Sequence, residues 1–123
     1  MIILGDNLVP YENIVKISNI DEIKTTPSNS IVMFYYDEKI LKYCYENSVP
    51  TIVIVSSIKE SIYANSLKAL YIVCEKNIAS KIQKIADNYM FDSKITAIIK
   101  TNDEFEEIAT LQIDAVIYES LLA

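Results

Sequence analysis

The stretch Val49–Asp87, VPTIVIVSSIKESIYANSLKALYIVCEKNIASKIQKIAD, decides the fold. It holds two apolar runs, Thr51–Ser56 and Ala69–Cys74, and each is followed by an amphipathic segment, Ile58–Leu67 and Ile78–Tyr89. The apolar runs are unbroken rather than alternating, which is typical of strands that are buried on both faces. Strands that alternate with helices pair in parallel through right-handed crossovers. The stretch therefore predicts two consecutive strand–helix units of a parallel sheet.

The same rhythm continues towards both ends of the chain. Strand patterns begin near residues 31, 51, 69, 95 and 114, about twenty residues apart. The further strands that we predict are Met1–Leu4, Asn13–Ile17, Ile31–Tyr36, Ile95–Lys100 and Asp114–Tyr118, and the further helices are Asn19–Lys24, Asp37–Asn47 and Asn102–Leu111. A closed eightfold barrel needs about twice this length. We therefore predict a single α/β domain over residues 1–123, a three-layer sandwich with a mostly parallel sheet and helices on both sides, flavodoxin-like or Rossmann-like.

Residues that cap helices support these boundaries. The segments Ser57–Glu60 and Thr101–Glu104 have the spacing of a capping box, in which a hydroxyl and a carboxylate each bind an unpaired backbone amide. Asp37, Asn77 and Ser18 are further candidates for the N-cap position.

The predicted helix ends are unusual because glycine is missing from them. A helix that leads into a strand usually has glycine in a left-handed conformation just past its end. The chain has one glycine, Gly5, and the corresponding positions hold Asn47, Lys68 and Gln112. Asparagine tolerates that conformation, whereas Lys68 and Gln112 would be strained by about 1 kcal/mol each or adopt another turn.

The composition excludes several classes of function. The chain contains no histidine, all eleven of its basic residues are lysines, and the net charge is −6. Without histidine, neither a Ser-His-Asp triad nor a plausible zinc site exists. The lysines are scattered among seventeen acidic residues, so we expect neither nucleic acid nor a membrane as a partner, and we predict no cofactor and no metal. Two distant cysteines, Cys44 and Cys74, are interpreted as buried thiols of a cytoplasmic protein.

The carboxyl ends of the strands are the candidate ligand site, because open parallel sheets bind their ligands there. The candidates there are Asp6, Asp37, Ser57, Lys76 and Lys100. Lysines and helix N-termini would suit an anionic metabolite or nucleotide. The same residue types also occur at these positions simply as helix caps, so both interpretations stay open.

The stretch Val49–Asp87 also resembles the later half of a response-regulator receiver domain. A strand led by proline ends in Ser56 or Ser57, and after a helix the next strand leads to Lys76. The resemblance implies an acidic acceptor at the end of an earlier strand, the place of Asp37. Asp37 lies only about twenty residues before Ser57, too few for the helix, strand and helix of that family. The resemblance therefore bears on the kind of sheet and not on function.

Two features point to an interface. Tyrosines are concentrated around one strand end and the following helix, and Tyr36 and Tyr43 are the candidate anchors among them, since tyrosine is common at interfaces and equally common at core edges. The chain ends in an apolar tail that contains Leu121 and Leu122. Such a tail either folds back on the core or meets the same segment of a second subunit.

Two hypotheses of function follow. The first is a non-enzymatic cytosolic domain that acts by self-association, as a homodimer, or by binding a protein partner. The second is a binding site for a small anionic molecule at the strand ends. No catalytic residue is assigned, and the sequence favours a protein without enzymatic activity.

Overall fold

A computed structural model of the protein describes all 123 residues. The seven strands are β1 (Ile2–Leu4), β2 (Ile14–Lys16), β3 (Ile31–Tyr35), β4 (Thr51–Ile54), β5 (Tyr71–Glu75), β6 (Lys94–Ile99) and β7 (Ala115–Tyr118). The five helices are α1 (Ile20–Ile23), α2 (Glu38–Glu46), α3 (Ile58–Ser66), α4 (Lys76–Asn88) and α5 (Phe105–Thr110), and 3₁₀ turns lie at Asn102–Glu104 and Glu119–Leu122. Every strand and helix that the sequence predicts is present, with ends that differ by a few residues.

The strands form one seven-stranded sheet in the order β1-β7-β6-β5-β4-β3-β2, and every neighbouring pair is parallel. The predicted α/β fold with a parallel sheet, of flavodoxin-like or Rossmann-like type, is confirmed. From β2 to β7 each connection leads to the adjacent strand in the same direction. Right-handed crossovers that step in one direction place their helices on one side of the sheet.

The core is divided into two parts by the sheet. The larger part contains 21 buried residues and includes buried side chains from α2, α3, α4 and α5, while two residues of α1 pack at its margin. The smaller part contains eight buried residues on the opposite face, all from strands except Leu122 of the last 3₁₀ turn. The helical layer expected on this second face is thus reduced to a single 3₁₀ turn.

The second face is buried because the sheet curls around it. Lys16 lies on the edge strand β2, and its ammonium donates a hydrogen bond of 2.6 Å to the carbonyl of Leu122, which follows β7. In a flat sheet β2 and β7 would be about 24 Å apart, far beyond the reach of a lysine side chain. Met33, Ile52 and Ile117 fill the inside of the curl and are almost completely buried.

The helix starts follow the predicted caps with two corrections. Asp37 caps α2, Ser57 caps α3, and the Thr101–Glu104 capping box is present. Asn77 is not a cap, because α4 begins at Lys76 directly after β5 and leaves no linker for one. Ser18 is not a cap either. Asn19 caps α1, and Ser18 donates to the carboxylate of Glu22 instead. None of the helices combines the length and the apolarity needed to cross a membrane.

Four helices end in the same motif without glycine. Ser48, Lys68, Met90 and Gln112 have positive φ angles of 55°, 69°, 53° and 60°. In each case the next residue donates its N–H to the carbonyl five residues earlier, as in a Schellman motif. The expectation for Lys68 and Gln112 is confirmed, while the left-handed residue after α2 is Ser48 rather than Asn47.

Candidate functional site

Three of the five predicted strand-end residues are engaged by the backbone. Asp6 accepts the N–H groups of Leu8 and Val9 at 2.8 and 3.2 Å. Asp37 accepts the first amides of α2 at 2.9 and 3.0 Å, and Ser57 accepts the N–H of Glu60 at 3.2 Å. None of the three lines the strand-end cavities described below. Capping accounts for their place in the sequence.

The remaining two, Lys76 and Lys100, do come together, in a cavity of about 570 Å³ beside the end of β6. The Lys76 ammonium lies 2.7 Å from Glu104 and 3.4 Å from Glu107. Glu104 also accepts the backbone N–H groups of Lys100 and Thr101. These contacts lower the pKa of Glu104 to about 2, with the Lys76 hydrogen bond as the largest cause. Two carboxylates therefore neutralise Lys76, which makes it a poor partner for an anion.

Two further cavities adjoin this one at the carboxyl ends of the strands. They have volumes of about 460 and 280 Å³, and both include Tyr35 and Ile54 in their lining. Glu75 and Ile98 line all three cavities. We call this joined space the strand-end mouth. Apolar side chains line most of the 460 and 280 Å³ cavities, charged ones line most of the 570 Å³ cavity, and Glu75 is common to all three.

The free charges of the mouth are mainly negative. The carboxylates of Glu75 and Glu119 make no hydrogen bond or ion pair, and both line the 280 and 570 Å³ cavities. Lys16 is engaged by the carbonyl of Leu122 and lies 5.1 Å from the centre of the Tyr35 ring, so it adds little free positive charge. The ammonium of Lys100 is the one free cation. No three carboxylate or thiol side chains converge closely enough to hold a metal ion.

A second concave surface lies on the helical side, between α2 and α3. It encloses about 430 Å³ and is lined by apolar and aromatic side chains with charges at its rim, namely Tyr36, Leu41, Tyr45, Tyr63 and Leu67 with Glu38, Lys42 and Glu46. We call it the α2–α3 groove. Of the two tyrosines predicted as anchors, Tyr36 lies in the groove, whereas Tyr43 is half-buried against the large core.

Helix α3 exposes its large apolar side chains and buries small ones. Ile58, Ile62 and Tyr63 are 38%, 46% and 49% exposed, whereas Ser61 and Ala64 are 0% exposed. Small residues on the buried side let the helix lie close to the sheet. Among the large ones, Tyr63 lines the groove, whereas Ile58 and Ile62 lie on α3 outside its lining, and all three remain partly exposed.

The apolar tail is covered by the chain itself. Leu122 is buried in the smaller core, and Leu121 packs beside Gly5. A Cβ atom on Gly5 would lie 2.8 Å from Cδ1 of Leu121, and Gly5 has φ +93°. Of the two alternatives for the tail, the structure therefore shows the one in which it folds back.

Neither cysteine has the properties of a nucleophile. Cys44 and Cys74 are free and buried, and burial raises the pKa of their thiols to about 11 and about 12. Both are protonated at neutral pH, and a protonated thiol is unreactive.

The candidates predicted from the sequence do not include Glu75, Glu119, Ile62 or Tyr63. The place of Glu75 could have been predicted from the sequence. It ends a strand two residues after Val73, so its side chain faces the same side of the sheet as that of Val73. The exposure of Ile62 and Tyr63 is indicated only weakly by the sequence, through the small residues Ser61 and Ala64, which are three positions apart in α3. Neither a protein family nor a curated protein matches the sequence, so the mouth and the groove are the basis for assigning a function.

Proposed function

We propose that this protein is a non-enzymatic domain that acts by binding a protein surface through the α2–α3 groove. The observation that carries the proposal is the orientation of α3, which turns Ile58, Ile62 and Tyr63 to solvent. Covering a half-exposed side chain of this size contributes on the order of 1 kcal/mol. Of these three residues, Tyr63 lines the groove together with Tyr45 of α2, which is also about half exposed. A contiguous apolar patch with a charged rim is typical of a protein interface.

The chemistry of the side chains supports a role without catalysis. General acid–base catalysis at neutral pH needs a group whose pKa lies near 7. The pKa values of Asp6 and Glu104 are lowered by their hydrogen bonds, and those of Cys44 and Cys74 are raised by burial. These shifts move each group away from neutrality.

Site-specific photo-cross-linking in cells tests this proposal. A photoreactive amino acid at position 63, in the α2–α3 groove, is compared with one at position 111, where Leu111 is exposed to a similar degree at the end of α5. We expect a discrete protein adduct from position 63 and none from position 111. Equal labelling at the two positions would overturn the proposal, since the two side chains differ in location and not in exposure.

A small cationic ligand in the strand-end mouth is the second candidate. The unpaired carboxylate of Glu75 at the junction of three cavities favours it, and the neutralised Lys76 argues against an anionic ligand. Thermal unfolding with spermidine, and separately with inorganic phosphate, tests this. Spermidine should raise the melting temperature by mass action, and the Glu75→Gln variant should lose that shift. Glu106→Gln, on an exposed carboxylate outside the mouth, is the control.

We further propose the cytosol as the compartment of this protein. Two cysteines without a disulfide are typical of proteins in a reducing environment.

A further inference from the structure

We propose that the occupant of the α2–α3 groove is a second copy of this chain, bound about a twofold axis. This inference rests on the proposed function and names the partner of the same surface. The charges around the groove support this inference, because they complement an identical surface better than a partner surface that is uniformly acidic or basic.

The rim of the groove carries both signs of charge. Glu38, Lys42 and Glu46 follow one another at four-residue intervals on α2, and all three are exposed. Such spacing permits ion pairs within a helix. No ion pair forms among them, however. The lysines that form ion pairs in this chain are Lys24 and Lys76. Lys42 and Glu46 are therefore both available to a partner.

The charge of the whole chain would otherwise favour a different partner. With a net charge of −6, the protein as a whole attracts basic surfaces and repels a second copy of itself. A surface shaped for a basic partner would be expected to lack lysines. The groove instead holds Lys42 beside Glu38 and Glu46, so this surface carries both signs of charge.

A twofold contact uses that balance directly. In such a contact residue i of one copy meets residue j of the other, and j meets i. Two α2 helices that cross about an axis between Lys42 and Glu46 place each lysine against the glutamate of the other copy. The exposed rings of Tyr45 and Tyr63, which line the groove, then cover each other beside these two ion pairs.

The short contact favours a weak association. Helices α2 and α3 contain nine residues each, so the face is about 13 Å long. We therefore expect a reversible dimer with a dissociation constant in the range of about 10 to 100 µM.

Charge exchange tests the twofold arrangement. Sedimentation velocity from about 10 µM to about 1 mM should show a monomer–dimer equilibrium for the natural chain. Lys42→Glu sets two carboxylates against each other in both contacts of the dimer, and Glu46→Lys sets two ammonium groups against each other. Each single variant should therefore dimerise at least about tenfold more weakly.

Mixing the two variants provides the matched rescue. In a heterodimer of Lys42→Glu with Glu46→Lys, both contacts again join a carboxylate of one copy to an ammonium of the other. An equimolar mixture should therefore recover dimerisation close to that of the natural chain. Unchanged circular dichroism and melting temperature of each variant exclude unfolding as the cause of the weaker single variants.

The possible outcomes separate this inference from the proposed function. A strict monomer at about 1 mM overturns the second copy as occupant. A dimer that ignores the single charge changes, or that the mixture does not restore, overturns the twofold pairing of Lys42 with Glu46. An adduct at position 63 whose partner is a different protein leaves the proposed function standing and overturns this inference. An adduct with twice the mass of the chain supports both.

Discussion

The hydroxyl of Tyr118 donates a hydrogen bond of 2.6 Å to Oδ1 of Asp6, and so ties the last strand to the turn after the first strand. The same bond lowers the pKa of Asp6 and raises the pKa of Tyr118 to about 12. The Tyr118 ring also meets Phe105 edge to face, with centroids 6.4 Å apart. A substitution that removes only the hydroxyl therefore isolates the hydrogen bond from the packing.

We predict that Tyr118→Phe lowers the denaturant midpoint at pH 7, and that its difference from the natural chain narrows in acid. Because the pKa of Asp6 is lowered in the folded state, its ionised carboxylate stabilises the fold at pH values above 3.8, its usual pKa. This stabilisation is lost as the pH falls through the lowered pKa. Urea unfolding followed by circular dichroism between about pH 2 and pH 7 measures this dependence.

A matched control is Tyr11→Phe, because Tyr11 is exposed and its hydroxyl has no hydrogen-bond partner in the chain. It should leave the midpoint unchanged at every pH. A difference between Tyr118→Phe and the natural chain that stays constant from pH 7 into the acid range would show that the charge of Asp6 plays no part.

Glu104 should account for a separate part of the acid sensitivity. Its pKa falls from 4.5 to about 2 because it binds Lys76 and two backbone amides. Because the pKa of Glu104 is lowered in the folded state, its contribution to the free energy of unfolding is present above pH 4.5 and is lost as the pH falls towards 2. We predict that Glu104→Gln lowers the melting temperature at pH 7 and flattens its dependence on pH in that window. Calorimetry of both proteins across the window is the measurement.

The comparison for this prediction is Glu106→Gln, two residues further on, whose carboxylate is exposed and forms no ion pair. Its pH dependence should match that of the natural chain. If both substitutions flattened the curve equally, the overall charge rather than the Glu104 contacts would be responsible.

The four non-glycine residues at helix ends offer a route to higher stability. A left-handed conformation strains a residue that has a Cβ atom by about 1–2 kcal/mol. Glycine avoids this strain, but it destabilises the fold by about 0.4–1 kcal/mol because it raises the entropy of the unfolded chain. We therefore predict that Lys68→Gly and Gln112→Gly each raise the free energy of unfolding by up to about 1 kcal/mol. Lys68→Ala removes the same side chain but keeps the Cβ atom, so it should give no such gain. Denaturant titration at neutral pH distinguishes glycine from alanine at this position.

The two faces of the sheet should contribute comparably to stability. Ile82 of α4 belongs to the large core, Ile117 belongs to the smaller one inside the curl, and both are fully buried. We predict that Ile82→Ala and Ile117→Ala each cost about 2–5 kcal/mol. Ile62→Ala, on the exposed side of α3, should change the stability by no more than about 0.5 kcal/mol. A small effect at Ile117 would mean that the inside of the curl is loosely packed.

Much of the fold could be predicted because its signals are local. Apolar runs such as Thr51–Ser56 predict strands from the residues alone, and Asp37, Ser57 and Thr101 mark helix starts through bonds to their own backbone. The candidate site, in contrast, could be predicted only from residue types at the strand ends. Asp6, Asp37 and Ser57 have residue types that suit either a ligand or a cap, and only their hydrogen bonds show that they cap.

The sequence by itself determined the alternation of strands and helices, the parallel pairing and the division into one domain, because unbroken apolar runs and apolar spacing of 3.6 residues follow from local geometry. Only the tertiary structure decided the strand order, the curl that brings Lys16 to Leu122, and the exposure of Ile62 and Tyr63. These depend on which packing of the whole sheet buries the most apolar surface, and no single segment carries that information. The mouth and the groove arise from that packing, so their residues come together only when the chain has folded.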